Sequence, residues 1–263
     1  MLLGINVDMG ARSVYTHRNS RVAPISKEAT ESGMSRTTFH QQLGQLEESI
    51  VGLGDTVEDA LSQSVQALLD RDRPKSDQLI AGDRAINHTC LSIESDALTL
   101  IATQQPLAGD LRTIFTAVEI ANELERIADY AKGIAKVNLM MGPEPLLKPC
   151  GHLPIMATKV RDMLHASLQA FVSQDAERAR SIPNQDHHVD ELHNKVYREL
   201  LQLITSDPDT TDRATFLLWV VHNLERVGDR ATNICERVVY NVTGEIVELD
   251  VQEGEYLGLQ SLS

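Results

Sequence analysis

Two short segments of this 263-residue chain carry carboxylates at matched spacing. Glu125 and Asp129 lie four residues apart, and Glu225 and Asp229 repeat the pair 100 positions later. On a helix, residues at i and i+4 share a face. Two carboxylates held there repel one another, and burying them is costly unless protons or a cation compensate. Other donors flank both pairs. Asn122 and His222 stand one helical turn before the glutamates, Asp83 lies upstream of the first pair, and Asp186 and Asp190 lie upstream of the second. Converging from adjacent helices, these groups could hold a metal ion. The donor set is mostly hard oxygen, which suits iron, manganese, magnesium or calcium; zinc is an alternative, and His222 favours a transition metal.

Neighbouring residues are weaker candidates. Arg126 and Arg226 follow the glutamates, where pairing with acids across helices is the structural reading and phosphate binding the functional one. In the cluster His187, His188 and His193, His193 shares a face with Asp190, as His222 does with Glu225. His187 and His188 point in different directions, so at most one joins a given site, and the three read as surface residues.

The carboxylates matter because they interrupt apolar seams. Phe39, Leu43, Leu46, Ile50, Leu53, Val57, Ala60 and Leu68 step by fours and threes, with Ser64 filling one place. This a/d pattern predicts a long helix from about Ser35 to Asp72. Pro74 suits the first turn of a second helix. Leu79, Ile86, Cys90, Ile93, Ala97 and Leu100 carry that helix to Pro106, and Asp83 fills the place skipped between Leu79 and Ile86. A third helix runs from about Leu107 to Met140 with two stripes. One holds Leu111, Ile114, Val118 and Ala121; the other holds Ile120, Leu124, Ile127, Ala131 and Ile134. Glu125 stands where the first stripe calls for an apolar residue. Prolines and glycines between Met140 and Pro154 place a boundary there. Three more helices are predicted, at about 154–181, 183–205 and 210–241.

The long-short-long rhythm thus occurs twice, and the residues repeat as well. Residues 122–129 read NELERIAD and residues 222–229 read HNLERVGD. Upstream, DRAIN at 83–87 resembles DHHVD at 186–190, displaced by 103 positions. Two matches in the same order argue for internal duplication. The expected fold is all-α, two tandem three-helix bundles. The expected segments are an extension at 1–33, a first bundle at 34–141, a linker at 142–153, a second bundle at 154–245 and an acidic tail at 246–263.

Composition narrows the function. The formal net charge is −14 and no basic block occurs, which argues against nucleic-acid binding and against adhesion to anionic lipid by charge alone. Aromatic residues make up 4% of the chain, which disfavours a β-sandwich or barrel. No apolar run approaches a membrane span, and the first ten residues are too short and polar for a signal-peptide core. Cys90, Cys150 and Cys235 are isolated, so neither a thiolate zinc site nor a disulfide framework is expected, and a reducing cytoplasm fits best. P-loop, nucleophile-elbow and dinucleotide fingerprints are absent, as are the paired E-x-x-H motifs of di-iron carboxylate bundles.

The doubled L-E-R-[IV]-x-D pattern, at Leu124–Asp129 and Leu224–Asp229, resembles the signature of the PhoU family. So do QQPLAGDLR, Gln104 to Arg112, and ATNICE, Ala231 to Glu236. The likeness covers Met34 to about Glu245. It implies two three-helix bundles, often assembled as homodimers or higher homo-oligomers. It also implies a cytoplasmic, non-enzymatic regulator of phosphate homeostasis, attached to the membrane only through membrane partners. Such regulators act with cytoplasmic components of the Pst phosphate ABC transporter and with a PhoR-type sensor kinase. They restrain uptake and the Pho response when phosphate is plentiful. Metal ions, iron foremost with manganese, zinc or magnesium as alternatives, are implied at E(D)-x-x-x-D motifs. Carried over, this nominates Glu125 and Asp129, Glu225 and Asp229, and Asp186 with Asp190 on the preceding helix. Two departures stand out: Asn87 where the second repeat has Asp190, and Gly133 where it has Asn233. The two sites are therefore expected to differ. The rival readings are a di-iron-type oxidase or peroxide scavenger and a plain helical scaffold with solvated carboxylates.

Overall fold

A computed structural model describes residues 28–148 and 151–249. The chain divides into two units, Met1–Thr38 and Phe39–Ser263; the packing below concerns the second. Most of the expected extension at 1–33, Cys150 and most of the tail at 246–263 lie outside the described residues.

Regular structure among the described residues is entirely helical. The first three helices are α1 (Glu28–Asp70), α2 (Arg73–Gln104) and α3 (Ala108–Met140). The next four are α4 (His152–Ser173), α5 (Ala176–Ser181), α6 (Asp186–Ser206) and α7 (Thr211–Thr243). The fold is all-α, two three-helix bundles in tandem related by internal duplication: α1–α3 form the first, and α4, α6 and α7 the second, with α5 as a short addition. α1 begins at Glu28, earlier than the expected start near Ser35, so the extension expected at 1–33 already carries helix in its last residues.

Helix ends follow local chemistry. The Asp72 carboxylate accepts the Lys75 N–H at 2.9 Å and caps α2, with Pro74 in its first turn. α7 stops at Gly244, whose φ of 77° is the left-handed conformation that favours glycine at a helix end. The single helix predicted over 154–181 is in fact broken. Gln174 turns left-handed at φ 51°, and Asp175 then accepts the Arg178 N–H to start α5. The predicted helix over 183–205 likewise begins as a 3₁₀ turn, Ile182–Gln185, before α6. No glycine marks the break at Gln174, and the capping aspartate is the only local sign of it.

The seams pack as the period demands. Ile50, Val57, Leu68, Ile93, Ile120, Leu124, Ile127 and Ile134 are fully buried, as are Val160, Leu164, Leu217, Leu224, Val227 and Ile234 in the second bundle. One stripe departs from expectation: Ile114 and Ala121 are buried, but Leu111 and Val118 line an open apolar groove of about 690 Å3 with Leu98, Ile101 and Phe115.

α3 and α7 bind the bundles together. They run antiparallel along their lengths: Thr113 meets Asn241, Glu123 meets Arg230 and Asn233, and Tyr130 meets Arg226. Closer to the end of α3, a Cβ on Gly133 would approach Asn223 Nδ2 to 2.8 Å. Gly133 and Asn233 are repeat equivalents, as are Glu123 and Asn223. The seam is therefore an isologous contact between the two halves of one chain. Close approach at Gly133 explains one departure seen in the repeat.

At the far end of α3, fully buried Asn138 ties three helices together. Its amide donates to Ala67 O, Asp72 O and Ser76 Oγ, and its carbonyl accepts from Arg71 Nη1. Asn138→Ala leaves several buried groups without partners and is expected to cost about 2–4 kcal/mol, read by urea unfolding. A loss below 1 kcal/mol would mean that the network contributes little. Cys90 and Cys235 are buried free thiols, pushed by desolvation up to about 11 and about 12 respectively. Chemically they are core residues.

Candidate metal centre

In each bundle the long third helix brings its carboxylate pair against the helix before it. In the first, burial raises the Glu125 carboxyl above its ordinary value, and the charges of Asp129 and of Asp83 across on α2 raise it further. In the second, burial again raises Glu225, helped by Asp229 and by Asp190 from α6, while His222 and Arg226 oppose the shift. Asp83 and Asp129 thus act together on Glu125, and Asp190 and Asp229 on Glu225. Asp186 opens α6 and presses on α7: a Cβ on Gly228 would approach its Oδ1 to 2.6 Å. Gly228 thus marks a close approach of α6 to α7.

Burial is less uniform than expected. The Asp83 side chain is 8% exposed, but that of Asp129 is 49% exposed. Glu225 and Asp229 are half-buried at 28% each. The third helices turn Leu124, Ile127, Leu224 and Val227 fully inward, which leaves the carboxylate pairs on the shoulder of the seam. Asn122 is half-buried. His222 is exposed, with Nδ1 3.2 Å from Glu225 Oε2. His187 and His188 are exposed, as read from the sequence. His193 is half-buried, and desolvation lowers its pKa. Arg226 reaches Asp229 at 3.5 Å and crosses to the Tyr130 hydroxyl. Arg126 is exposed.

Lys132 is the residue that pattern reasoning missed. Its Nζ lies 2.7 Å from Asp83 Oδ2 and 2.9 Å from Asp129 Oδ1, and these hydrogen bonds raise its pKa above the ordinary lysine value. The i+3 spacing from Asp129 was visible in the sequence; the partner on α2 was not.

As placed, no group of three or more His, Cys, Asp and Glu side chains among the described residues closes into a cage for one ion. The fit is chemical. Asp186, Asp190, Glu225 and Asp229 offer hard carboxylate oxygens from two helices, and Glu225, raised by burial first and then by the charges of Asp229 and Asp190, is a group whose charged form a cation would favour.

The burial of Glu225 beside Asp229 and Asp190 has a measurable sign without metal. A raised folded-state pKa means that the native state holds the proton more tightly than the unfolded chain does. Above the raised value the penalty is fully present; it fades as pH falls towards the ordinary value near 4.5. Chelator-treated Glu225→Gln is therefore expected to be more stable than the parent at neutral pH. Its advantage should vanish in the acid range, as read by thermal unfolding across pH.

The family model described as the PhoU domain matches this chain twice, over residues 50–137 and 153–238. The chain belongs to the PhoU family. A phosphate-specific transport system accessory protein PhoU homolog from Clostridium acetobutylicum is 34% identical over 218 residues, covering 82% of this chain and all of that protein. The Zymomonas mobilis homolog of the same description is 34% identical over 83% of this chain and 92% of its own length. Among solved structures, the phosphate transport system regulatory protein PhoU from Streptococcus pneumoniae superposes with a TM-score of 0.74 at 32% identity. It covers 80% of this chain and 99% of its own. PhoU from Pseudomonas aeruginosa gives the same TM-score at 31% identity over 79% of this chain. Both carboxylate pairs fall inside the matched PhoU domains, and Lys132 does too.

Proposed function

We propose that this chain is a cytoplasmic accessory regulator of a phosphate transport system, acting by docking and without turnover. One observation carries the reading: the PhoU domain matches both bundles, and full-length relatives at 34% identity are named as accessory proteins of phosphate-specific transport. Among the described residues no helix is long and apolar enough to cross a membrane, and in this reading the chain docks on the transporter's cytoplasmic components. The finer reading adds a PhoR-type sensor kinase as second client, with the Pho response held off when phosphate is plentiful. A docked regulator shifts a client's conformational equilibrium only through different affinity for its states. The chain should therefore associate unequally with the transporter in phosphate-rich and phosphate-starved cells.

Metal enters this reading as a structural element. Asp186, Asp190, Glu225 and Asp229 would hold it, with His222 alongside, and iron or manganese suits them best. Bound metal would supply positive charge that locks α6 to α7 and fixes the face they present. The di-iron oxidase reading needs E-x-x-H pairs that the sequence lacks.

The test is affinity capture on the native chain from membranes of cells grown in high and in low phosphate. Capture of transporter ATPase subunits in one condition well above the other is expected. Equal or absent capture in both would contradict the docking role.

A further inference from the structure

We infer that Lys132 is the resident cation of the first bundle's carboxylates, so that this bundle excludes the metal ion its repeat equivalent takes. The inference deepens the metal reading above and rests on it for the second bundle.

The geometry is specific. Lys132 Nζ bridges Asp83 Oδ2 on α2 and Asp129 Oδ1 on α3 at 2.7 and 2.9 Å. A metal ion joining those two helices would sit about 2.0–2.6 Å from the same oxygens. That places it on top of the ammonium, so the two cations cannot share the position. The Asp83 carboxylate is nearly buried and the Lys132 side chain is 24% exposed. The charge-assisted bond to Asp83, so sheltered, is stronger and less screened than one at a surface.

A second substitution works in the same direction. The repeat places Asn87 opposite Asp190, and the Asn87 amide donates to Asp83 Oδ2 at 3.4 Å. An acceptor in the second bundle is thus replaced by a donor in the first, aimed at the oxygen that Lys132 already holds. At the repeat position of Lys132 stands Thr232, which is buried and whose hydroxyl has no hydrogen-bond partner. The first cluster sets one ammonium between two of its three carboxylates; in the second, which has four, Arg226 reaches Asp229 at 3.5 Å from the same helix and a hydroxyl stands at the lysine's place. Duplication produced two acid clusters; at these two positions the first carries an ammonium and an amide where the second carries a hydroxyl and a carboxylate.

The experiment titrates chelator-stripped full-length protein with manganese, read by paramagnetic resonance of free ion and by elemental analysis after desalting. Lys132→Thr should bind about one more ion per chain than the parent. Adding Asp83→Asn should remove the gain, and Lys132→Arg should keep the parental count. In the parent, Asp83→Asn alone should leave the count unchanged, a reading that does not depend on how well the threonine variant folds. A Lys132→Thr count equal to the parent's, whatever that count is, overturns the inference. So does loss of an ion from the parent on Asp83→Asn, which would mean that the lysine swings aside. Metal-free parent with a gained site in Lys132→Thr would support the role of Lys132 while contradicting the metal reading of the second bundle.

Discussion

Leu124→Ala in the first bundle and Leu224→Ala in the second are each expected to cost about 3–5 kcal/mol and to lower the same unfolding transition. Both leucines are fully buried repeat equivalents on α3 and α7, and a leucine truncated in a packed core loses its transfer energy and leaves a cavity. The shared transition follows from the seam. α3 and α7 pack along their whole lengths, so unfolding either bundle strips the other of a partner face. The chain's single tryptophan, Trp219, sits on α7 and reports on the second bundle. Urea unfolding of Leu124→Ala followed by Trp219 fluorescence should move together with the helical signal. A fluorescence transition that stays at the parental midpoint would mean that the bundles unfold independently.

The second large effect concerns metal. The combined Asp190→Asn, Glu225→Gln, Asp229→Asn variant should fall from near-stoichiometric metal to background by elemental analysis. With the ion at a hundredfold its dissociation constant, the parent gains about 2.7 kcal/mol that the variant lacks. In chelator the sign reverses, because the variant no longer crowds carboxylates around α7. Opposite shifts in the two conditions distinguish a binding site from a solvated face. The plain-scaffold reading expects no difference in either.

Much of this was legible in the residues because it rests on period and repetition. Steps of three and four from Phe39 to Leu68 bury α1 as read, and the doubled L-E-R motif located both carboxylate pairs. What escaped detection depended on geometry that a linear pattern lacks. The break after α4 comes from a left-handed glutamine, a conformation with no sequence requirement as strong as glycine's. The exposure of Asp129 comes from how α3 is rolled to bury Leu124 and Ile127, since residues on the edge of a stripe can fall to either side. Lys132 stands three residues after Asp129, a spacing too common on helix surfaces to single it out. Its second partner, Asp83, lies 49 residues away on another helix and could be seen only once α2 and α3 were packed.

The reading as a regulator of phosphate transport is tested most directly by deleting this chain in its own host. Phosphate uptake and a phosphate-starvation reporter would be followed in phosphate-rich medium, with and without the parental chain restored. The account predicts that the deletion strain takes up phosphate without restraint and keeps the reporter on, and that the parental chain returns both to the repressed level. Uptake and reporter activity in the deletion strain indistinguishable from those of the parent would contradict it.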